Sequence, residues 1–299
     1  MTKIQVLMSV YNGELYLKEQ IQSILNQKGV DVFLLIRDDH SADSSVKIIR
    51  EFMKNNSNIQ LIQGKNVGVI ESFFQLIRKA NPQMDFYSFS DQDDVWMSNK
   101  LLAATQAISQ LHEEKPRLYI SRSELVDANL KHIDYSDKSA VGPQNAIIMN
   151  AAIGHTIVFD RALRKLFLSK KPDATQLVMH DSWLYKIASF FGQIYFDDNY
   201  YTKYRQHGDN KVGMDKKLIT KIKNTLEASK KKLFYKEIME FNKLYKKELP
   251  EKYEYEISRY FKAKKHFYSR FIYLLHPYIQ RDSLRGQIIF RVFFLLNMK

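Results

Sequence analysis

The sequence predicts an α/β fold with a mostly parallel sheet flanked by helices, followed by a basic helical C-terminal region. In the first 210 residues, short apolar runs alternate with amphipathic helical patterns, which is typical of repeated β-α-β units. Residues 1–210 carry 24 basic and 24 acidic side chains, whereas residues 211–299 carry 22 and 9. The whole net charge of +13 therefore lies in the last part of the chain. This asymmetry predicts two units, over 1–213 and 214–299.

The composition excludes several classes of protein. A chain of 299 residues with 45% hydrophobic content can form a sizeable core, and it contains no cysteine. Disulfide scaffolds, thiol catalysis and thiolate metal sites are therefore excluded. The N-terminal apolar run is too short for a signal peptide, and no run reaches the roughly 18 apolar residues of a membrane span. We expect a cytoplasmic protein.

The elements of the first unit follow from the periodicity of its apolar residues. Four runs of strand length are predicted at Ile4–Val10, Phe33–Arg37, Ile59–Ile62 and Phe86–Phe89. Between them, apolar residues recur at helical spacing over 15–25, 46–53 and 70–77. In the second unit, Pro250 and Pro277 divide the chain into three predicted helices, over 216–247, 252–273 and 283–297.

Polar residues collect where the predicted strands end. They are Ser9, Tyr11 and Asn12 after the first strand, Asp38 and Asp39 after the second, and Asp91, Asp93 and Asp94 after the fourth. Ligands of open parallel sheets bind beyond these strand ends. Carboxylates gathered there repel one another unless a cation compensates them, and oxygen ligands suit Mg²⁺ or Mn²⁺. The alternatives are that Asp38 caps a helix and that 91–94 is a solvated turn.

The common nucleotide and hydrolase motifs are missing from the sequence. There is no G-x-G-x-x-G after the first strand and no G-x-x-x-x-G-K-[ST], which disfavours dinucleotide-binding and P-loop chemistry. Neither G-x-S-x-G nor H-E-x-x-H occurs.

Six blocks of the sequence carry a resemblance to a known family. In order, they are VLMSVYNG (6–13), IRDDHSAD (36–43), NVG (66–68), SDQDDVW (90–96), MHDSWL (179–184) and YRQHGDN (204–210). Together they resemble the family 2 glycosyltransferases, which are inverting enzymes with a GT-A fold. The last three blocks further resemble the bacterial rhamnosyltransferase branch. The resemblance covers about 1–213.

The resemblance implies a nucleotide-sugar site at the strand ends. Tyr11 would stack on the pyrimidine with Ser9 beside it, or else its ring would belong to the core. Either Asp38 or Asp39 would accept the N–H of the base, and Asp91 would lie near the ribose.

The resemblance also implies a metal and a base. Asp93 would bind Mn²⁺ or Mg²⁺, with His207 as a further ligand or else an ordinary loop histidine. Asp181 would take the proton of the acceptor hydroxyl, or cap a helix. Trp183 would wall the acceptor sugar. His155 would lie near donor or acceptor, or be structural.

The expected partners follow from these roles. The donor would be a nucleotide-activated hexose, with dTDP-L-rhamnose favoured and UDP-galactose, UDP-glucose or UDP-N-acetylglucosamine as alternatives. The acceptor would be a lipid-linked surface glycan. A module that binds sugar nucleotides or nucleic acid without catalysis is the non-enzymatic alternative. The basic tail suggests attachment to an anionic membrane surface on the cytoplasmic side, with a homodimer or a solvated helical surface as alternatives, and we expect no nucleic acid.

Overall fold

The computed structural model describes residues 1–138, 140–206, 232–275 and 284–296. The strands are β1 (Lys3–Val10), β2 (Asp31–Asp38), β3 (Ile59–Gln63), β4 (Phe86–Ser90), β5 (Val95–Trp96), β6 (Arg117–Val126), β7 (His132–Tyr135), β8 (Val158–Asp160) and β9 (Gln193–Arg205). The helices are α1 (Leu17–Leu25), α2 (Ser45–Asn55), α3 (Val69–Lys79), α4 (Lys100–Ile108), α5 (Pro143–Ile148), α6 (Arg161–Leu168), α7 (His180–Phe191), α8 (Leu233–Tyr245), α9 (Glu251–Lys265), α10 (Phe267–Leu274) and α11 (Leu284–Leu295).

One mixed sheet organises the first 206 residues. Its strand order is β3-β2-β1-β4-β8-β6-β9-β5, with β7 paired to β6. The first four strands are parallel, and β8 joins β4 in the antiparallel direction. The carboxyl ends of β1, β2 and β4 therefore meet at one edge of the sheet, as the sequence predicted. The predicted α/β class is confirmed.

Strand β1 is buried on both faces because helices cover each side of the sheet. Along β1, Val6 and Met8 belong to one core with Ile21 of α1, whereas Leu7 belongs to the other with Phe73 of α3. This alternation has the two-residue period of a strand. A strand buried on both sides must be apolar throughout, which explains the continuous apolar runs in the sequence.

The strands and helices predicted for the first unit agree closely with the structure. Each of the four predicted strands lies within β1 to β4, and α2 and α3 contain the predicted helices. The first helix begins at Leu17 rather than at residue 15. The residues before it form a turn in which the Gly13 carbonyl accepts from the amides of Tyr16 and Leu17.

The C-terminal helices differ from the prediction at one place. The predicted helix over 252–273 is wrong as a single helix, because His266 is extended (φ −125°, ψ 133°) and separates α9 from α10. Its carbonyl accepts from the Arg270 amide and so begins α10. The helix predicted over 283–297 corresponds to α11, and the part of the first one before residue 232 lies outside the described residues. Across the described ranges, no helix is both long and apolar enough to span a membrane.

The C-terminal helices share the main core of the sheet unit. Phe241 of α8 packs against Trp183 and Phe190 of α7, with ring centroids 5.7 and 4.9 Å apart. Phe290 and Phe294 of α11 belong to the same apolar cluster. The two predicted units therefore differ in charge, while their described parts are held together by one core. The predicted boundary near residue 213 lies outside the described residues.

Phe241→Ala should lower the free energy of unfolding by about 3–5 kcal/mol, because it leaves a cavity between α7 and α8. Met239→Ala is the matched control, since Met239 lies on the same helix with 49% of its surface exposed; its effect should stay within about 0.5 kcal/mol. Urea unfolding of both variants measures the difference. Equal small effects would show that α8 does not contribute to the core.

Candidate active site

The turn after β1 presents an aromatic ring beside the acidic segment. The backbone amide of Tyr11 donates to the Gln92 side chain at 2.8 Å, and the amide of Gly13 donates to Ser45 at 2.8 Å. These bonds tie the turn to the loop after β4 and to α2. The Tyr11 side chain is about half exposed, so its ring face is available to stack on a planar ligand. Ser9 lies two residues before Tyr11, within β1, and its hydroxyl is 2.6 Å from that of Ser72.

The two carboxylates at the end of β2 have different surroundings. Asp39 pairs with the buried Arg37 at 2.5 Å and accepts from the amides of Val67 and Gly68 at 2.8 and 2.9 Å. Asp38 accepts from the amide of Ser41 at 3.2 and 3.3 Å. Asp39 therefore holds the loop before α3, while Asp38 keeps acceptor capacity. Asp38 caps the turn before α2 rather than the helix itself, which begins at Ser45.

Two acids and a histidine form a compact cluster beyond β4. His155 Nδ1 lies 3.3 Å from Asp91 Oδ2 and 3.4 Å from Asp94 Oδ2, and its Nε2 is 2.7 Å from the Ser123 hydroxyl. The ligating atoms of the three residues lie within 4.8 Å of one another. Within the described residues, no hydrogen bond reaches Asp94 Oδ2, although it is buried. An orphaned carboxylate oxygen beside a second carboxylate and an imidazole fits Mn²⁺ or Mg²⁺.

Within this cluster, the charge of Asp94 is poorly solvated because its side chain is fully buried. Burial, together with the charges of Asp93 and Asp91, raises the pKa of Asp94 well above its usual range. Lys100 is the buried cation below the cluster, where its ammonium donates to the His155 carbonyl and lies 3.3 Å from the centre of the Trp96 ring. Burial lowers the pKa of Lys100 well below its usual value. A bound divalent cation would compensate the carboxylates more effectively than this lysine.

The predicted metal ligands are only partly placed by the structure. Asp93 is partly exposed and lies close enough to Asp94 to raise its pKa, but it is not part of the compact trio. His207 lies outside the described residues. The assignment of Asp93 and His207 as ligands therefore stays a prediction, and the structure adds Asp94 and His155 as candidates. Asp94 is one of the strand-end carboxylates that suit a divalent cation, but the family resemblance implied no individual role for it.

The predicted base lies in the first turn of α7. The Asp181 carboxylate accepts from the Gly154 amide at 2.8 Å, the Asn150 side chain at 3.0 Å and the Ser182 amide at 2.5 Å. The side chain is 7% exposed, and burial raises its pKa to about 7 despite the hydrogen bonds from Ser182 and Gly154, which lower it. A positioned carboxyl with a pKa near 7 is suited to general base catalysis near neutral pH.

A short 3₁₀ turn, Gly154–Thr156, joins Asp181, the predicted base, to the acidic cluster. Its first residue donates to Asp181, and its second contacts Asp91 and Asp94. A Cβ on Gly154 would lie 3.2 Å from His180 Nε2 and 3.5 Å from Asp181 Oδ2. The glycine therefore permits the close approach of the turn to α7.

His180, next to Asp181 in the chain, is an uncharged core residue. Its ring stacks on Phe73 with centroids 3.8 Å apart, and burial lowers its pKa to about 3. It is therefore neutral near neutral pH and adds no positive charge beside Asp181.

Two predicted acceptor contacts are corrected by the structure. Trp183 has no exposed surface and packs against Phe241 and Tyr245, so it is a core residue and not a wall of the acceptor site. Positions 181 and 183 are about 200° apart around a helix, and a base that faces the site therefore places residue 183 towards α8. His155 also has no exposed surface. It belongs to the acidic cluster rather than to an acceptor surface.

Comparison with known proteins identifies the class. Residues 5–149 match the model of Glycosyl transferase family 2. The chain is also 30% identical over 247 residues to the dTDP-rhamnosyl transferase RfbG of Shigella flexneri, covering 77% of this chain and 82% of that protein. The chain belongs to glycosyl transferase family 2 and is a glycosyltransferase.

Solved structures show the same fold at low sequence identity. S. aureus TarS 1–349 in complex with UDP-GlcNAc superposes with a TM-score of 0.62 at 18% identity, covering 99% of this chain and 81% of that one. The mannosyltransferase PcManGT from Pyrobaculum calidifontis, in complex with GDP-Man and Mn²⁺, gives 0.54 at 12% identity over 99% and 85%. The predicted GT-A type of α/β fold is confirmed.

Replacing Asp93 or Asp94 with Asn should weaken Mn²⁺ binding roughly tenfold or more, because a neutral amide is a poor ligand for a hard cation. A larger loss for the Asp94 variant would identify the trio in the structure as the ligands. A larger loss for the Asp93 variant would identify the set predicted from the sequence. Asp31→Asn, at the opposite end of β2, should bind Mn²⁺ normally. Calorimetric titration with Mn²⁺ in the presence of nucleoside diphosphate measures the affinities. Unchanged affinity in both variants would remove the cation from the acidic segment.

Proposed function

We propose that this glycosyltransferase transfers L-rhamnose from dTDP-L-rhamnose to a lipid-linked surface glycan, with inversion at the anomeric carbon. The similarity to the dTDP-rhamnosyl transferase RfbG over most of both chains supports the donor. The observation that carries the chemistry is the buried Asp181 carboxyl, whose pKa is raised to about 7 at the same sheet edge as the acidic cluster.

The donor occupies the edge where β1, β2 and β4 end. The half-exposed ring of Tyr11 stacks on the pyrimidine, with Ser9 below it. Asp38 rather than Asp39 accepts the base N–H, because an arginine and two backbone amides already occupy the Asp39 carboxylate. Asp91 contacts the ribose side of the donor.

The diphosphate lies against the acidic segment. Asp91, Asp94 and His155 would hold Mn²⁺ or Mg²⁺ there, with Asp93 and His207 as the alternative ligands. When bound, the cation supplies positive charge that stabilises the leaving diphosphate.

Transfer then needs one proton acceptor from the protein. Asp181 takes the proton of the acceptor hydroxyl as that oxygen bonds to the anomeric carbon, and the bond from that carbon to the diphosphate breaks. The proton resides on the Asp181 carboxyl, and the nucleoside diphosphate leaves. The hydrogen bonds from Gly154 and Asn150 fix the carboxylate in place before the reaction.

Asp181→Asn should lower the rate of transfer roughly 100-fold or more, because the amide keeps the size of the side chain but accepts no proton. The dissociation constant for the donor should stay nearly unchanged. Asp173→Asn is the control, since that carboxylate accepts from Thr175 just before α7 and should leave the rate near wild type.

The assay follows release of nucleoside diphosphate from a panel of dTDP- and UDP-sugars with Mn²⁺. Preference for dTDP-L-rhamnose is the expected result. Preference for UDP-galactose, UDP-glucose or UDP-N-acetylglucosamine would show that the donor is a different nucleotide sugar. Near-native turnover of the Asp181 variant would show that another group takes the proton. Binding without turnover would favour a non-catalytic module.

The acceptor is brought to the enzyme by a membrane-contacting surface on α10 and α11. Eight exposed apolar side chains lie on or directly beside these two helices: Phe267, Tyr268, Phe271, Ile272, Leu275, Ile288, Val292 and Leu296. The helices pack together through Tyr273 and Phe294, with ring centroids 5.3 Å apart. The sequence over 262–299 contains eight Lys and Arg and one Asp. A second copy would bring the same positive charge to this surface, whereas an anionic membrane complements it. The enzyme would then act on the cytoplasmic face of the membrane.

The double variant Phe267→Ser/Phe271→Ser should bind vesicles of anionic lipid several-fold more weakly than the unmodified chain. Tyr255→Ser is the control, since Tyr255 is exposed on α9 outside this surface. Binding should fall as salt rises to about 0.5 M, because the Debye length then drops well below 10 Å. Vesicle sedimentation measures the bound fraction. No vesicle binding, with a dimer in solution that the double variant breaks, would assign the surface to dimerisation instead.

A further inference from the structure

A carboxylate from the C-terminal helices is buried against the segment that carries Asp181. Glu237 of α8 has no exposed surface. Its Oε1 accepts from the Val178 amide at 3.0 Å, and its Oε2 accepts from the Ser182 hydroxyl at 2.7 Å. One contact precedes Asp181 in the chain and the other follows it directly. Glu237 therefore binds the beginning of α7 through hydrogen bonds from residues on both sides of the proposed base.

A buried cation completes this arrangement. Lys186, on the second turn of α7, lies with its ammonium 3.1 Å from Glu237 Oε2, and neither side chain is exposed. The same ammonium donates to the Ala146 carbonyl of α5. The ion pair thus connects α5, α7 and α8. All of these polar groups are satisfied, which is the condition under which a buried ion pair can persist.

The same ion pair also helps to position the two groups that donate hydrogen bonds to the proposed base. Asn150, which donates to Asp181, follows α5 by two residues. Gly154, the second donor, lies four residues further on. Anchoring α5 to α7 therefore fixes the distance between the Asp181 carboxylate and the groups that orient it.

We propose that Glu237 is a positioning residue for the reaction: with Lys186 it holds the 178–182 segment so that the Asp181 carboxylate faces the acceptor hydroxyl. This inference rests on the proposed role of Asp181 as the base. It also gives the C-terminal helical region a part in catalysis, in addition to the membrane surface on α10 and α11.

The charge of Glu237 provides a readout that a purely structural contact would not move. The groups that face Asp181 are Asp91 from the loop after β4, Glu237 from α8 and the neutral His180 on its own helix. Burial is the main reason for the raised pKa of Asp181, and the negative charges of Asp91 and Glu237 raise it further. Removing the charge of Glu237 lowers this pKa. A base acts when deprotonated, so the acid limb of the pH–rate profile must move to lower pH.

Glu237→Gln in the full chain is the test, because glutamine keeps the length of the side chain and removes its charge. We expect kcat to fall roughly ten- to a hundredfold through misplacement of the base. The KM for the donor should change less than about twofold, since no donor contact is lost. The acid limb should shift to lower pH.

A second variant keeps the test informative where an unpaired Lys186 would unfold the protein. Glu237→Leu/Lys186→Met replaces the pair by apolar residues of similar length, an exchange that folded proteins often tolerate. It should fold and keep a reduced kcat, and its acid limb should shift less than that of Glu237→Gln, because the positive charge of Lys186 is removed together with the negative charge of Glu237.

Asp160→Asn is the matched control. Asp160 is also buried, pairs with Arg117 at 3.0 Å and caps α6 through the Leu163 amide. It should reduce stability without moving the pH profile. Wild-type kcat and acid limb in both Glu237 variants, with Asp181→Asn inactive, would overturn the positioning role alone. Near-native activity of Asp181→Asn would instead overturn the proposed function.

Discussion

The structure depends on keeping buried carboxylates compensated at one edge of the sheet. Asp39, Asp94, Asp181 and Glu237 are all at least nine-tenths buried, and each would be unfavourable there without partners. Asp39 has an arginine and two backbone amides, whereas Glu237 has a lysine, an amide and a hydroxyl. Asp94 and Asp181 keep raised pKa values. The two acids that pair with a cationic side chain support the fold. The two acids with raised pKa values are the candidates for metal binding and proton transfer.

This division also explains how distant parts of the chain reach one site. The turn Gly154–Thr156 lies between the acidic cluster and Asp181, the proposed base, so the geometry of one constrains the other. The α8 helix touches the same region through Glu237. The strongly basic part of the sequence therefore has two sides. Its inner side is a continuation of the core, and its exposed side carries the apolar residues of α10 and α11.

The parts of the fold that are local in sequence could be predicted, and those that depend on distant contacts could not. Strands β1 to β4 carry short runs of buried or partly buried apolar residues, and these runs mark them clearly in the sequence. Strand β6 interrupts its buried apolar residues with Arg, Ser and Glu, and most of β9 is only partly buried, so neither strand bears such a run. The break at His266 carries no proline or glycine. Family resemblance located Asp181, but no pattern in the sequence singles out Glu237, because its partners are over 50 residues away. Only the helical angle between positions 181 and 183 could have placed Trp183 in the core.

The proposed role of Asp181 depends on a buried carboxyl that titrates near neutral pH because its charged form is poorly solvated. Infrared difference spectra of the carboxyl stretch, recorded against Asp181→Asn as a function of pH, measure this titration directly. A protonated carboxyl band should be present at low pH and disappear with a midpoint near 7. A midpoint near 4, the ordinary value of an aspartate, would contradict it.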